Sequence, residues 1–192
     1  MNLFLQGQFG IGKSSLLRKA LEPYSLSITG LVTQRLLKNS KTIGYRAIRI
    51  NGALPPLETI YTPGCQGMFI HISNRQFDIS VLEKTILQVE QDAQNPDCKL
   101  ILLDEIGGVE LKSEVFADSL LRIINGGKPC IGVLKSAPNL SHAMSQLSLD
   151  QEYLSLHNRL EQMIRRKGEL IPVTFENRED LPGYLRRSLS GF

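Results

Sequence analysis

The sequence predicts an α/β fold: three layers around a mainly parallel central sheet, with a β-hairpin at about residues 28–50 and a helical insertion at about 136–167. Three observations carry this prediction. Strand-length apolar runs alternate with helix-periodic stretches along the chain. Two of the runs, Leu100–Leu103 and Cys130–Leu134, are almost unbroken, as strands buried on both faces are. A glycine-rich loop joins a strand to a helix at the start of the sequence. At 192 residues the chain suits a single domain, residues 1–192.

The elements follow in order. Asn2–Gln6 is an apolar run of strand length, and Ser14–Leu21 is helix-forming until Pro23 stops it. Leu26–Leu37 and Tyr45–Ile50 flank the polar turn Lys38–Lys41. The second run alternates apolar and basic residues at period two, so the pair reads as a hairpin. Pro55, Pro56 and Pro63 make Asn51–Pro63 a loop, and Met68–Ile72 is a short strand. Leu82, Ile86 and Val89 recur at helical spacing behind Ser80-x-x-Glu83, a capping box, and Asn95-Pro96-Asp97 ends that helix. A helix over about Glu114–Ile124 stops at Gly126-Gly127. Residues 136–167 read mostly helical, with Leu156, Leu160, Met163 and Ile164 on one face and Gly168 at the end. Leu170–Phe175 is a further strand. Leu181–Leu189 is a last, basic helix with Asp180 as its N-cap.

Composition narrows the class. Hydrophobic residues at 42% and charged residues at 21% are those of a globular protein. The apolar runs are too short to span a bilayer, and the sequence enters its first strand without a leader-like segment. A cytoplasmic protein with no membrane partner is therefore expected. The formal charge of +3 suits small acidic ligands and gives no argument for nucleic acid. Cys65, Cys98 and Cys130 are few, odd in number and widely spaced, which fits a reducing compartment and not a zinc site. A monomer is the favoured state, with an unidentified protein partner left open.

The chemistry starts at Gly7-Gln8-Phe9-Gly10-Ile11-Gly12-Lys13-Ser14, a full match to the phosphate-binding pattern G-x-x-x-x-G-K-[S/T]. The plain alternative is a glycine-rich turn. The strand before it and the helix after it favour a site. Loop amides and the helix N-terminus form a donor array for polyphosphate. Lys13 is placed to bridge the β- and γ-phosphates, the Ser14 hydroxyl to ligate Mg²⁺, and Ser15 to reach the α-phosphate.

The second motif is Leu100–Leu103 followed by Asp104-Glu105, a Walker B pattern. Asp104 falls at the carboxyl end of a strand, where open α/β sheets bind ligands, and is the second expected Mg²⁺ ligand. Glu105 is one step beyond, placed to orient a water in line with the γ-phosphate. The pair could instead only cap the following loop. Asp104-Glu105-Ile106-Gly107 also fits the D-x-x-G of GTPases, and Asn177-Arg178-Glu179-Asp180 is one residue from their N-K-x-D. Arg178 in place of lysine counts against that, and a turn leading into the last helix is the preferred reading.

Taken together, these pieces resemble a small nucleoside-triphosphatase family first typified by a thermophile enzyme, the THEP type. The resemblance rests on the phosphate loop, on Gly30-Leu31-Val32-Thr33 with the later Gly44-Tyr45, and on Asn177-Arg178. Its most specific part is Asp104-Glu105-Ile106-Gly107 with Glu110-Leu111 and Phe116. It spans almost the whole chain. It implies a P-loop NTPase fold and a slow Mg²⁺-dependent hydrolase of ATP, GTP and other nucleoside triphosphates. The chain departs from the family pattern at Gly108-Val109, where Lys-Met is usual, so a positive charge beside the active strand is missing. Phe9 replaces a common proline, and residues 136–167 are longer and more helical than usual.

Two other functions share the same loop. One is a nucleotide-gated switch, suggested by Arg159, Arg165, Arg166, Arg186 and Arg187, which could equally be a solvated face. The other is a small-molecule kinase, for which Arg35, Arg46 and Arg49 on the hairpin could close over phosphates.

Overall fold

In the computed structural model, which describes residues 1–74, 76–136 and 151–190, the expected apolar runs become strands. The strands are β1 (Asn2–Gln6), β2 (Ile28–Lys38), β3 (Lys41–Asn51), β4 (Glu58–Ile60), β5 (Met68–His71), β6 (Gln76–Phe77), β7 (Leu100–Ile106), β8 (Cys130–Leu134) and β9 (Gly168–Pro172). The helices are α1 (Lys13–Leu21), α2 (Ile79–Asp92), α3 (Glu114–Asn125), α4 (Gln151–Lys167) and α5 (Leu181–Leu189). Short 3₁₀ turns cover Glu22–Ser27 and Val109–Lys112.

The strands form one sheet in the order β6-β5-β3-β2-β7-β8-β1-β9, with β4 beside the far half of β2. From β2 to β9 every pairing is parallel, whereas β3, β5 and β6 add an antiparallel flank. Period-two alternation splits the central strands between two cores. Phe4, Ile101 and Leu103 pack with α2, α3 and α4 on one face, while Leu3, Leu5, Leu100 and Leu102 pack with α1 and α5 on the other. This is the three-layer arrangement that the unbroken apolar runs predict. The hairpin turns at Asn39 and Ser40, both in the left-handed region at φ 50 and 59.

Several expectations need correction. The stretch 51–63 is not all loop, because β4 lies within it; three residues between prolines give no periodicity to read. The two-residue β6 is missed for the same reason. The α2 helix begins earlier than expected and is capped by Asp78, whose carboxylate accepts the Ser80 N–H at 3.1 Å. Glu83, the other half of the expected capping box, instead accepts from the Ser113 hydroxyl at 2.6 Å across to α3. Asp180 stands at the N-cap of α5 without a side-chain cap bond. β9 starts at Gly168, directly from the end of α4, and stops before Phe175, because its register is fixed by pairing Asn2–Gln6 with Gly168–Pro172. Of the expected helical insertion, 151–167 is the α4 helix, Ser136 lies outside any helix, and 137–150 falls outside the described residues.

Candidate active site

The glycine loop leaves β1 at its carboxyl end and enters α1 directly. Gly10 and Gly12 have φ 79 and 96, a region closed to most side chains, which turns the loop amides inward. Ile11 anchors the loop: it is buried in a cluster with α1 and α5 side chains and does not line the cavity that Lys13 and Ser14 line. Lys13 is 7% exposed, and its Nζ donates to the carbonyl oxygens of Gly7 and Gln8, each at 3.0 Å. Burial lowers the Lys13 pKa; the carboxylates of Glu105 and Asp104 oppose that shift and Lys135 adds to it. Ser15 is exposed on the first turn of α1 and faces the same cavity.

β8 separates β1 from β7, so the loop and the Asp-Glu pair leave the sheet two strand spacings apart, about 9–10 Å. The first turn of α1 bridges that gap. The Ser14 hydroxyl donates to Asp104 Oδ1 at 2.9 Å. Asp104 is 3% exposed, and its pKa is pushed up to about 6, chiefly by burial and further by Glu105, against the Ser14 hydrogen bond and the charges of Arg18 and Lys13. Glu105 is half-buried and follows Asp104 through a cis peptide.

Phe9, Gly10, Gly12, Lys13, Ser14, Ser15, Asp104 and Glu105 line one cavity of about 430 Å³, so most of the expected site residues come together there. Gly7 and Gln8 contribute through the carbonyls that hold Lys13. The hairpin adds Thr33, Arg35 and Tyr45. Of the three hairpin arginines only Arg35 reaches this cavity, with Glu58 at 3.5 Å. Arg46 donates to Gln34 at 2.7 Å and Arg49 to Asp92 at 2.5 Å, so both are engaged elsewhere.

Sequence reasoning missed several residues in or near this cavity. Arg18 of α1 is partly buried near Asp104, hydrogen-bonds the Pro55 carbonyl, and keeps a buried Nε with no partner among the described residues. Thr33 and Tyr45 were visible as part of the hairpin pattern, but nothing in the sequence aimed them at the loop. Lys135 is the most informative. It follows β8, between the two motifs, and its Nζ stands 2.5 Å from where a Cβ on Gly108 would be. An ammonium group thus stands beside position 108, where the sequence pattern lacks one. Glu110 clamps the same turn, its Oε1 accepting the Gly108 N–H at 2.6 Å. The α4 helix holds both ends: Tyr153 donates to the Gly107 carbonyl at 3.0 Å, and His157 Nε2 lies 3.0 Å from the Lys135 carbonyl.

At the far end, both halves of the Asn177 amide serve a turn. Its Oδ1 accepts the Thr174 N–H at 2.9 Å and its Nδ2 donates to the Pro172 carbonyl at 2.8 Å. This is the turn preferred over a base-reading motif. Arg159, Arg165, Arg166, Arg186 and Arg187 are exposed; Arg165 pairs with Glu161 at 2.9 Å and Arg186 donates to the Lys19 carbonyl at 2.6 Å.

Comparison with known proteins shows what the chain is similar to. Nucleoside-triphosphatase THEP1 of Methanosarcina barkeri is 28% identical over 188 residues, covering 95% of this chain and 94% of that one. The human cancer-related nucleoside-triphosphatase is 25% identical over 65% of this chain and 69% of its own. The crystal structure of THEP1 from Aquifex aeolicus superposes with a TM-score of 0.66 at 20% identity, covering 98% of this chain and 99% of that one. The solution structure of the human protein gives 0.67 at 22%, covering 100% and 98%. These two structures have the same fold. The sequence profile of a family described as NTPase matches residues 2–185, and the chain, with its phosphate loop facing an Asp-Glu strand end, belongs to that NTPase family.

Proposed function

We propose that this protein hydrolyses nucleoside triphosphates, ATP and GTP among them, by in-line attack of water on the γ-phosphoryl group. The observation that carries the proposal is the Ser14–Asp104 hydrogen bond of 2.9 Å inside a cavity also lined by Lys13 and Glu105. It brings the two motifs, ninety residues apart in sequence, to one point. In this reading the amides of Gly7–Gly12 cradle the phosphates and Lys13 moves from its loop carbonyls to the β- and γ-oxygens. Ser15 reaches the α-phosphate. Glu105 orients the attacking water and accepts its proton.

Ser14 and Asp104 would hold Mg²⁺. Hydroxyl and carboxylate oxygens are hard donors, and one or two of them with phosphate and water suffice for this ion. A buried Asp104 whose pKa is pushed up by burial is also a group that a nearby cation would relieve. When bound, the ion would neutralise charge on the β- and γ-oxygens. Lys135 lines the adjoining space on the other side of Glu105 and in this reading is a second cation at the γ end.

Steady-state phosphate release from ATP, GTP, CTP and UTP with Mg²⁺ tests the proposal. Wild type releases phosphate slowly from several of them. Lys13→Ala abolishes binding and turnover, and Glu105→Gln lowers kcat at least about a hundredfold while nucleotide affinity stays. Full turnover by Glu105→Gln removes its assigned role. Nucleotide binding without release, sensitive to Lys13→Ala, favours a switch.

A further inference from the structure

Beyond Glu105 lies a second cavity of about 510 Å³. It shares Phe9, Thr33, Tyr45 and Glu105 with the phosphate cavity, so the two adjoin, with Glu105 on the wall common to both. Its walls differ in kind. Leu31, Phe69, Ile70, Leu82, Val109 and Phe116 make it mostly apolar, and they come from β2, β5, α2, the 109–112 turn and α3. A single attacking water needs only roughly 30 Å³, whereas small-molecule sites run from about 300 to 1,000 Å³. The volume is that of a ligand.

The polar groups in this cavity are few. Glu110 is 6% exposed, and its Oε1 is fixed by the Gly108 N–H, which sets the carboxylate at the cavity wall. Glu105 and Lys135 complete its polar lining. Two carboxylates and one ammonium in an apolar chamber select against anions. They favour a neutral or cationic molecule that carries polar hydrogens on an apolar body.

From this geometry we propose that the second cavity is an acceptor site for a small-molecule alcohol, neutral or cationic, and that the chain can transfer the γ-phosphoryl group to it as well as to water. The proposal rests on the nucleotide reading of the first cavity. The hydroxyl oxygen of the acceptor bonds to the γ-phosphorus while the bond from phosphorus to the β,γ-bridging oxygen breaks. The hydroxyl proton passes to Glu105, and the products are the nucleoside diphosphate and a phosphate monoester of the alcohol. Glu110 accepts a second polar hydrogen from the acceptor and fixes its orientation.

The test uses the full chain with Mg²⁺, γ-labelled ATP and the protein-free, nucleotide-depleted small-molecule fraction of a cell lysate as probe. Label is separated into inorganic phosphate and organic monoester. Wild type is expected to put label into a phosphatase-sensitive organic product. Val109→Trp, which fills the cavity, should lower the ratio of organic product to phosphate at least tenfold. Glu110→Gln keeps the shape and should raise half-saturation for the probe at least fivefold while that for ATP does not move. Label in inorganic phosphate alone from wild type overturns the acceptor site and leaves the hydrolase reading standing. An unchanged ratio in both variants also overturns it. No release to water or to any acceptor sinks the hydrolase reading on which the proposal rests.

Discussion

Asp104 shows at the scale of one residue what the site costs the fold. A carboxyl whose pKa is raised on folding favours the protonated form in the native state. The metal-free chain therefore loses stability as pH rises from the ordinary carboxylate range, about 4, through about 6. Without metal at pH 8, Asp104→Asn should raise unfolding stability by about 2 to 3 kcal/mol, and at pH 4 by less than about 1 kcal/mol. Urea denaturation at the two pH values reads this directly, and equal effects at both would contradict it. Activity should fall in the same variant. Lys135 gives a second residue-scale prediction. Lys135→Ala should lower kcat at least about thirtyfold with little change in affinity for the diphosphate, since the charge it meets develops at the γ end. Gly108→Lys placed in that background should restore part of the loss, because the two positions share one space. A loss that the second substitution leaves untouched would show that an ammonium carried at position 108 does not take the place of Lys135.

At the scale of elements, the decisive contact is between β2 and β7, which bring the hairpin over the Asp-Glu strand. Gly30 makes it possible: a Cβ there would lie 2.0 Å from the Leu102 carbonyl oxygen. Gly30→Ala should destabilise the chain by about 2 kcal/mol or more, whereas Gly127→Ala, with nothing within 4 Å of its Cβ, should stay within about 0.5 kcal/mol. Thermal unfolding of the two variants side by side checks it. The elements also mark how far the sequence could be read. Leu100–Leu103 announced a doubly buried strand because both its neighbours in the sheet are parallel and both faces are covered. The phosphate loop announced itself because its chemistry requires fixed residues at fixed spacing. The β4 and β6 strands did not, since their pairing comes from long-range register and not from their own periodicity. Lys135 was equally hidden. Its place is set by β8 standing between β1 and β7, and strand order is not written in local pattern.

The whole molecule is a sheet with a core on each face, and the site sits where strands from its middle end. Both cores reach the loop: Ile11 and Leu17 from one side, Phe4 from the strand that leads into it. We propose that the chain unfolds as a single unit, in keeping with the expected single domain. A nucleotide bound at a hundred times its Kd should then stabilise the entire chain by about 2.7 kcal/mol in one transition, and Lys13→Ala should erase that shift. Calorimetry showing two transitions, only one of them moved by nucleotide, would break this expectation. No helix among the described residues is long and apolar enough to cross a membrane. The hold of Lys13 on the carbonyls of Gly7 and Gln8 has one more consequence. Two of the three Nζ hydrogens are already engaged before any anion arrives, so taking them over exchanges one set of bonds for another. If phosphate takes the place of those carbonyls, the heat of association at the lysine should be small, with the drive coming largely from disorder gained by displaced water and ions, which titration calorimetry would read.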